Sequence, residues 1–161
     1  MPEGPSILIA ADAIRPLFKK KKIIAVRGNS KIDMDQFVGQ KLVDVKSWGK
    51  HLLICFPGKT LRIHFLMFGS YRIDAKKDAV PRLSLLFDNG EINFYTCSIK
   101  LLQQHPDKLY DWSVDVMSDQ WDPAKATRTI KKYQEKLVCD VLLDQDIQPV
   151  DPEQLTVGIA E

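Results

Sequence analysis

Apolar residues at Ile7, Ala10, Ala11, Ile14, Leu17 and Phe18 recur at the i, i+3, i+4, i+7 spacing of one helical face, which predicts a helix from Pro5 to about Phe18. Pro5 suits a first turn, where a missing N–H costs nothing, whereas Pro16 predicts a bend or an end near Arg15. Beyond Lys19–Lys22 the period changes to that of short strands: Ile23–Val26, Leu42–Val45, Leu52–Phe56, Leu61–Phe68, Tyr71–Ile73, Leu83–Phe87 and Ile92–Tyr95. Gly28-Asn29, Pro57-Gly58, Gly69-Ser70 and Asp88-Asn89-Gly90 punctuate them, and Asn89-Gly90 is a strong hairpin signal. Strands at a spacing of about ten residues predict an antiparallel sandwich or barrel of about eight strands.

The alternation is cleanest where Leu61, Ile63 and Phe65 face one way and Arg62 and His64 the other. It then breaks, because Phe65–Phe68 are all large and apolar, which a half-exposed strand does not need for packing. After Tyr95 the pattern turns to helix and loop. Asp122-Pro123 reads as an N-cap followed by proline at N1, and Ile130, Tyr133, Leu137 and Val141 continue at helical spacing to about Gln145. The expected fold class is therefore α+β: an N-terminal helix with an antiparallel β-sandwich, followed by one or two helices.

Composition changes this picture little. The 161 residues are 45% hydrophobic and 27% charged, which fits a globular domain with a real core and argues against disordered and fibrous classes. With 23 Lys and Arg against 21 Asp and Glu, a formal charge of +2 would not by itself suggest nucleic acid. Cys55, Cys97 and Cys139 are far apart, with no Cys-x-x-Cys, so they read as reduced, buried thiols rather than a zinc site. No apolar run approaches the ~18 residues of a membrane span, no basic leader opens the chain, and a cytoplasmic protein without membrane partner is expected.

The candidate chemistry lies at the amino terminus. A nucleophile for an aldehyde-like sugar carbon must be an unprotonated amine. An α-amino group titrates near ~8 and a lysine near ~10.4, so at neutral pH a terminal amine is the better supplied. Pro2 would become that terminus once Met1 is removed, and as a secondary amine it would give a charged iminium. Glu3, its neighbour, could move protons to and from the sugar oxygen and the amine.

Met1-Pro2-Glu3-Gly4-Pro5 resembles the start of the formamidopyrimidine-DNA glycosylase and endonuclease VIII family, and Gly4 resembles the endonuclease VIII branch. Trp48-Gly49-Lys50-His51-Leu52-Leu53 is similar to the family's Gly-Lys-x-Leu-Leu turn, which implies that Lys50 contacts DNA phosphate near the lesion. Ile63-His64-Phe65-Leu66-Met67-Phe68-Gly69, followed by Tyr71-Arg72-Ile73, resembles a family segment whose loop residue fills the gap left by an everted nucleotide. The resemblance makes Met67 the wedge, with Leu66 and Phe68 as neighbours and His64 facing DNA. Asp115-Val116-Met117-Ser118-Asp119 and Val141-Leu142-Leu143-Asp144-Gln145 fall where the family has its interdomain segment and a Leu-Leu-Asp-Gln helix.

The resemblance implies a catalytic β-sandwich domain over residues 1–115, an interdomain segment and the start of a shortened helical domain over 116–147, and an unmatched tail over 148–161. It implies a base-excision DNA glycosylase and AP lyase that acts on damaged double-stranded DNA, with Pro2, Glu3 and Lys50 in catalysis and no small-molecule cofactor. Two departures qualify it. Ser6 stands where the family usually has a second acidic residue, and Asp146–Glu161 contains neither the family's Gly-rich turn nor ligands for its zinc finger, as if the C-terminal half were missing.

Much of the phosphate-binding surface would go with that half, so weak, salt-sensitive DNA binding is expected, as is self-association through apolar helix surface near Leu137–Leu143. The alternatives are an inactive remnant serving as a binding module and, more remotely, a small-molecule-binding β-barrel. Lys19–Lys22, Lys76-Lys77 and Lys131-Lys132 read as solvated charge, and His51 and His105 as surface or turn residues.

Overall fold

The computed structural model describes residues 2–143. Helix α1 (Gly4–Phe18) precedes β1 (Ile23–Arg27), β2 (Asp44–Trp48), β3 (His51–Phe56), β4 (Lys59–Ile73), β5 (Leu83–Phe87) and β6 (Gly90–Leu102), and α2 (Pro123–Lys131) and α3 (Val138–Leu143) follow. The fold is α+β, with the elements in the expected order.

The strands form one antiparallel sheet of six, ordered β1-β5-β6-β4-β3-β2, rather than about eight separate strands. Two segments expected to be separate, around Leu61–Phe68 and Tyr71–Ile73, are one strand, because β6 pairs with β4 on both sides of the Gly69-Ser70 break. The sheet curls until its edges meet. Lys22 bridges Lys41, Ile23 N–H donates to the Gln40 carbonyl and Leu42 N–H to that of Lys21, so the entry to one edge strand is tied to the entry to the other. Both halves thus turn an apolar face onto one core: Val45, Leu52, Ile54, Leu61 and Ile63 from one side, Leu83, Leu85, Ile92 and Phe94 from the other.

Helix α1 packs on β2 and β3 through Ile7, Ala11 and Ile14, while the Phe18 ring meets Phe87 at 4.6 Å. Ile7, Ile14 and Phe18, each no more than 1% exposed, contribute roughly 1.5–3 kcal/mol apiece by burial. Of the bend or end expected near Arg15, the end does not occur: Pro16 lies inside α1, which runs on to Phe18. A proline in the last turn forfeits a single i→i−4 bond, and Lys19 N–H still closes onto the Arg15 carbonyl.

The apolar period from Ile130 to Val141 does not make one helix. Helix α2 opens as expected, with the Asp122 carboxylate accepting from Ala124 and Lys125 N–H, but stops at Lys131. A run of turns separates it from α3, so Val141 is buried while Leu137 and Val138 stay exposed. Gln145 and the 148–161 tail lie outside the described residues. Cys55 and Cys97 are buried as expected, but Cys139, on short α3, is exposed. Among the described residues no helix is long and apolar enough to cross a membrane.

Candidate active site

Glu3 is the N-cap of α1, in extended conformation, and the helix begins because Ser6 closes on it: the Ser6 hydroxyl accepts from Glu3 N–H and donates to the Glu3 carbonyl, each at 2.9 Å. Ser6 is thus occupied with the Glu3 backbone at the position where an acidic residue was expected. From this cap the Glu3 side chain reaches the hairpin between β2 and β3. There Gly49 and Lys50 form a two-residue turn closed by the pair Trp48 and His51, with Gly49 at φ +52°. Positive φ at the first central residue alone is the type II′ pattern, which calls for glycine. The turn presents Lys50 Nζ 2.7 Å from Glu3 Oε2, with the side chains 15% and 25% exposed, respectively.

Pro2, next to Glu3 in the chain, lines a cleft of about 200 Å³ together with Ser6, Ile7 and Ala10 of α1 and Phe65, Tyr71 and Arg72 of β4. The cleft ends at the break in β4. Phe65 pairs with Cys97 and Ser70 with Tyr95, so Leu66–Gly69 stand opposite Thr96 alone. The excess residues bulge out of the ladder, aided by Thr96 at φ +49°. Gly69 permits the return: a Cβ there would sit 2.6 Å from Phe65 Cβ and 2.7 Å from the Thr96 carbonyl oxygen. Leu66, Met67 and Phe68 are therefore 48%, 63% and 80% exposed, while Phe65 keeps only 4%. Met67 is not a core residue.

His64 stands on the outer face of β4, within the fields of both members of the ion pair. Burial lowers its pKa first, the Lys50 and Arg62 cations lower it further, and Glu3 opposes them. His51, expected at the surface, is instead paired in register with His64, with the rings edge to face at 5.6 Å. Burial, then Arg62 and then His64, push it down to about 4, so this imidazole is neutral at neutral pH. Tyr110 covers it, with its hydroxyl 3.4 Å from His51 Nδ1 and its ring 4.8 Å from that of Trp48. Burial raises the Tyr110 pKa, against the nearby Arg62 guanidinium. Sequence reasoning missed His51 and Tyr110: the first is visible only once the β3–β4 register is known, and the second lies in a segment without periodicity.

The arrangement sets the Glu3 carboxylate against the Lys50 ammonium next to Pro2, and the Pro2-lined cleft is bordered by Phe65 and Gly69, the residues that flank the apolar bulge. Glu3 and Lys50 are brought into contact next to Pro2, His64 lies within their electrostatic reach, and Leu66, Met67 and Phe68 stand exposed between two residues that line the Pro2 cleft, Phe65 and Gly69. Among the described residues no group of three or more His, Cys, Asp or Glu side chains could hold a metal ion.

Residues 1–100 match the model of the formamidopyrimidine-DNA glycosylase N-terminal domain. The chain belongs to that family. A mouse (Mus musculus) protein named Endonuclease 8-like 3 is 32% identical over 123 residues, covering 70% of this chain and 20% of its own length. Endonuclease 8 of Shigella flexneri is 29% identical over 161 residues, covering 90% and 61%, respectively. This member of the family therefore spans about a fifth of the length of the mouse relative and three fifths of the bacterial one. A Lactococcus lactis FPG mutant, solved in complex with a Fapy-dG containing DNA, shares the fold at a TM-score of 0.60 and 18% identity, covering 67% of this chain and 45% of its own.

Proposed function

We propose that this chain is the catalytic portion of a base-excision DNA glycosylase with AP lyase activity, acting on damaged double-stranded DNA. After removal of Met1, the Pro2 nitrogen attacks C1′ of an everted deoxynucleotide, the bond from C1′ to the base breaks, the base leaves with the bonding electrons and takes a proton from water, and the Glu3 carboxylate takes the proton that the amine gives up; at an abasic site the C1′ hydroxyl departs as water instead. Glu3 delivers a proton to O4′ as the sugar ring opens, giving an iminium between C1′ and Pro2. Loss of a C2′ proton then expels the 3′ phosphate. Lys50 neutralises phosphate charge during this step, and His64 lies on the DNA side of β4.

The observation that carries the reading is the 2.7 Å pair of Glu3 and Lys50, with Pro2 adjoining Glu3 in the chain and lining a cleft. A carboxylate and an ammonium already neutralising each other can exchange partners when a phosphate and a sugar oxygen arrive, without either charge being stranded. The exposed bulge supports it further. An everted nucleotide leaves a gap whose unstacking costs a few kcal/mol, and Met67, flanked by Leu66 and Phe68, can fill it with apolar surface. The relatives' names, endonucleases of one group, and the DNA complex of the structural relative agree with this chemistry.

Borohydride trapping on an abasic-site duplex at low salt tests the reading, with the adduct mapped by mass spectrometry. A reduced adduct on the Pro2 nitrogen is expected. If intact mass shows Met1 removed and no adduct forms, the chain is a non-catalytic member of its family.

A further inference from the structure

A two-residue hairpin leaves the N–H of its first central residue outside the ladder, and here that is Gly49, immediately before Lys50. The partner comes from far along the chain. Asp115 Oδ2 accepts from Gly49 N–H at 3.1 Å, and Asp115 Oδ1 accepts from Met117 N–H at 2.9 Å. Asp115 is 1% exposed, the one carboxylate among the buried polar side chains of the described residues. A second tie lies next to it, where Trp48 Nε1 donates to the Asp111 carbonyl at 3.0 Å. The segment around the Trp112–Val114 turn thus grips the hairpin at both Trp48 and Gly49.

We infer that Asp115 is a positioning residue for the proposed reaction: by holding the Gly49 amide it fixes the turn that aims Lys50 at Glu3. The inference rests on the reading of Lys50 given above. It follows from what a buried carboxylate costs. Burial raises the Asp115 pKa, and the two N–H bonds work against that rise. Among the described residues no cation contributes to offsetting it, and a group serving only to fill space would be better apolar. Its value lies in having two acceptors facing two donors. An isosteric asparagine keeps one acceptor and turns an NH₂ towards the other N–H, so it loosens one tie at unchanged volume.

Rigid placement matters because a displacement of about 1 Å at a catalytic group can cost about 100-fold in rate. The turn that carries Lys50 is held by its closing pair, Trp48 and His51, and by the Asp115 bond to Gly49.

The test compares Asp115→Asn, Lys50→Ala and the double variant, alongside wild type. Under single-turnover conditions Asp115→Asn should slow borohydride-trapped adduct formation about tenfold while DNA Kd stays within about twofold, and in the Lys50→Ala background it should add nothing. Independently of activity, Gly49 amide hydrogen exchange should accelerate in Asp115→Asn, and acetylation of Lys50, mapped by mass spectrometry, should rise at least threefold over other lysines. An equal Asp115→Asn effect with and without Lys50, or unchanged Gly49 exchange and Lys50 acetylation, overturns the inference. Absence of an adduct with wild type overturns the glycosylase reading instead, and the exchange and acetylation results still decide whether Asp115 governs Lys50.

Discussion

Glu3 Oε2 and Lys50 Nζ lie 2.7 Å apart, joining the first turn of α1 to the hairpin between β2 and β3. Both side chains are mostly buried, so removing one charge leaves the other poorly solvated, at a cost of about 1–2 kcal/mol, between the surface and fully buried cases. Glu3→Gln should therefore lower Tm by a few degrees. If Glu3 also moves the proton to O4′, adduct formation should fall by about 100-fold or more, the usual scale for losing a positioned acid or base. Thermal melting and single-turnover trapping on the same samples separate the two effects. A rate loss no greater than the loss of folded protein would remove Glu3 from the chemistry.

The bulge predicts a contrast between neighbours. Met67→Ala and Phe68→Ala delete side chains that pack on little of the fold, so stability should change by no more than about 0.5 kcal/mol. Their affinity for an abasic-site duplex should nevertheless drop, because the gap beside the everted nucleotide is left unfilled. Gly69→Ala does the opposite: its methyl group would overlap Phe65 Cβ and the Thr96 carbonyl, costing about 1–3 kcal/mol. Denaturant melts and fluorescence anisotropy measure the two quantities. A Phe68→Ala variant as destabilised as Gly69→Ala would mean that the bulge is part of the core after all.

What could be read in advance was local. Helix α1, the Asp122 cap and the strand positions follow from spacing and turn chemistry, which act over a few residues, and the anomalous run from Phe65 to Phe68 marked the bulge because apolar side chains broke an alternation. Relationships set by register were not legible. Pairing β6 with both halves of β4 is what turned two expected strands into one, and opposing His51 to His64 is what moved His51 from the surface into the ring cluster. Asp115 belongs to the same class. Nothing near it in sequence indicates that its partner is Gly49. The overrun at Ile130–Val141 failed differently, since periodicity there continued through a segment that the chain breaks with turns.

Thiol reactivity follows from burial. Cys55 is pushed up to about 12, chiefly by burial and further by Asp44, and Cys97 to about 11, again chiefly by burial, so neither supplies thiolate near neutral pH. Cys139 is exposed. In native protein at pH 8, a thiol reagent should label Cys139 and leave Cys55 and Cys97 untouched until denaturant is added. Peptide mapping after brief alkylation checks this, and native labelling of Cys55 would contradict the closed packing of β2 on β3.

Acid should loosen the ring cluster through His51. Its pKa is about 4 in the folded chain against 6.5 for the free side chain, so between those values the unfolded chain binds the extra proton and the folded chain does not. Stability therefore falls as pH drops from 6.5 towards 4, and the lost contribution is recovered above 6.5. A shift of this size corresponds to at most about 3.5 kcal/mol, and partial exposure of the ring brings it to roughly 1–2 kcal/mol. His64 shifts in the same direction and adds to the slope, whereas Tyr110 does not titrate in this range. His51→Phe keeps a ring against Trp48 and Tyr110 but has no proton to gain, so its stability should depend less steeply on pH in this window. Urea melts of both proteins at half-unit intervals measure the difference, which also cancels the carboxylates common to the two. Parallel curves would mean that His51 is solvated in the folded chain and that the Tyr110 cover is open in solution.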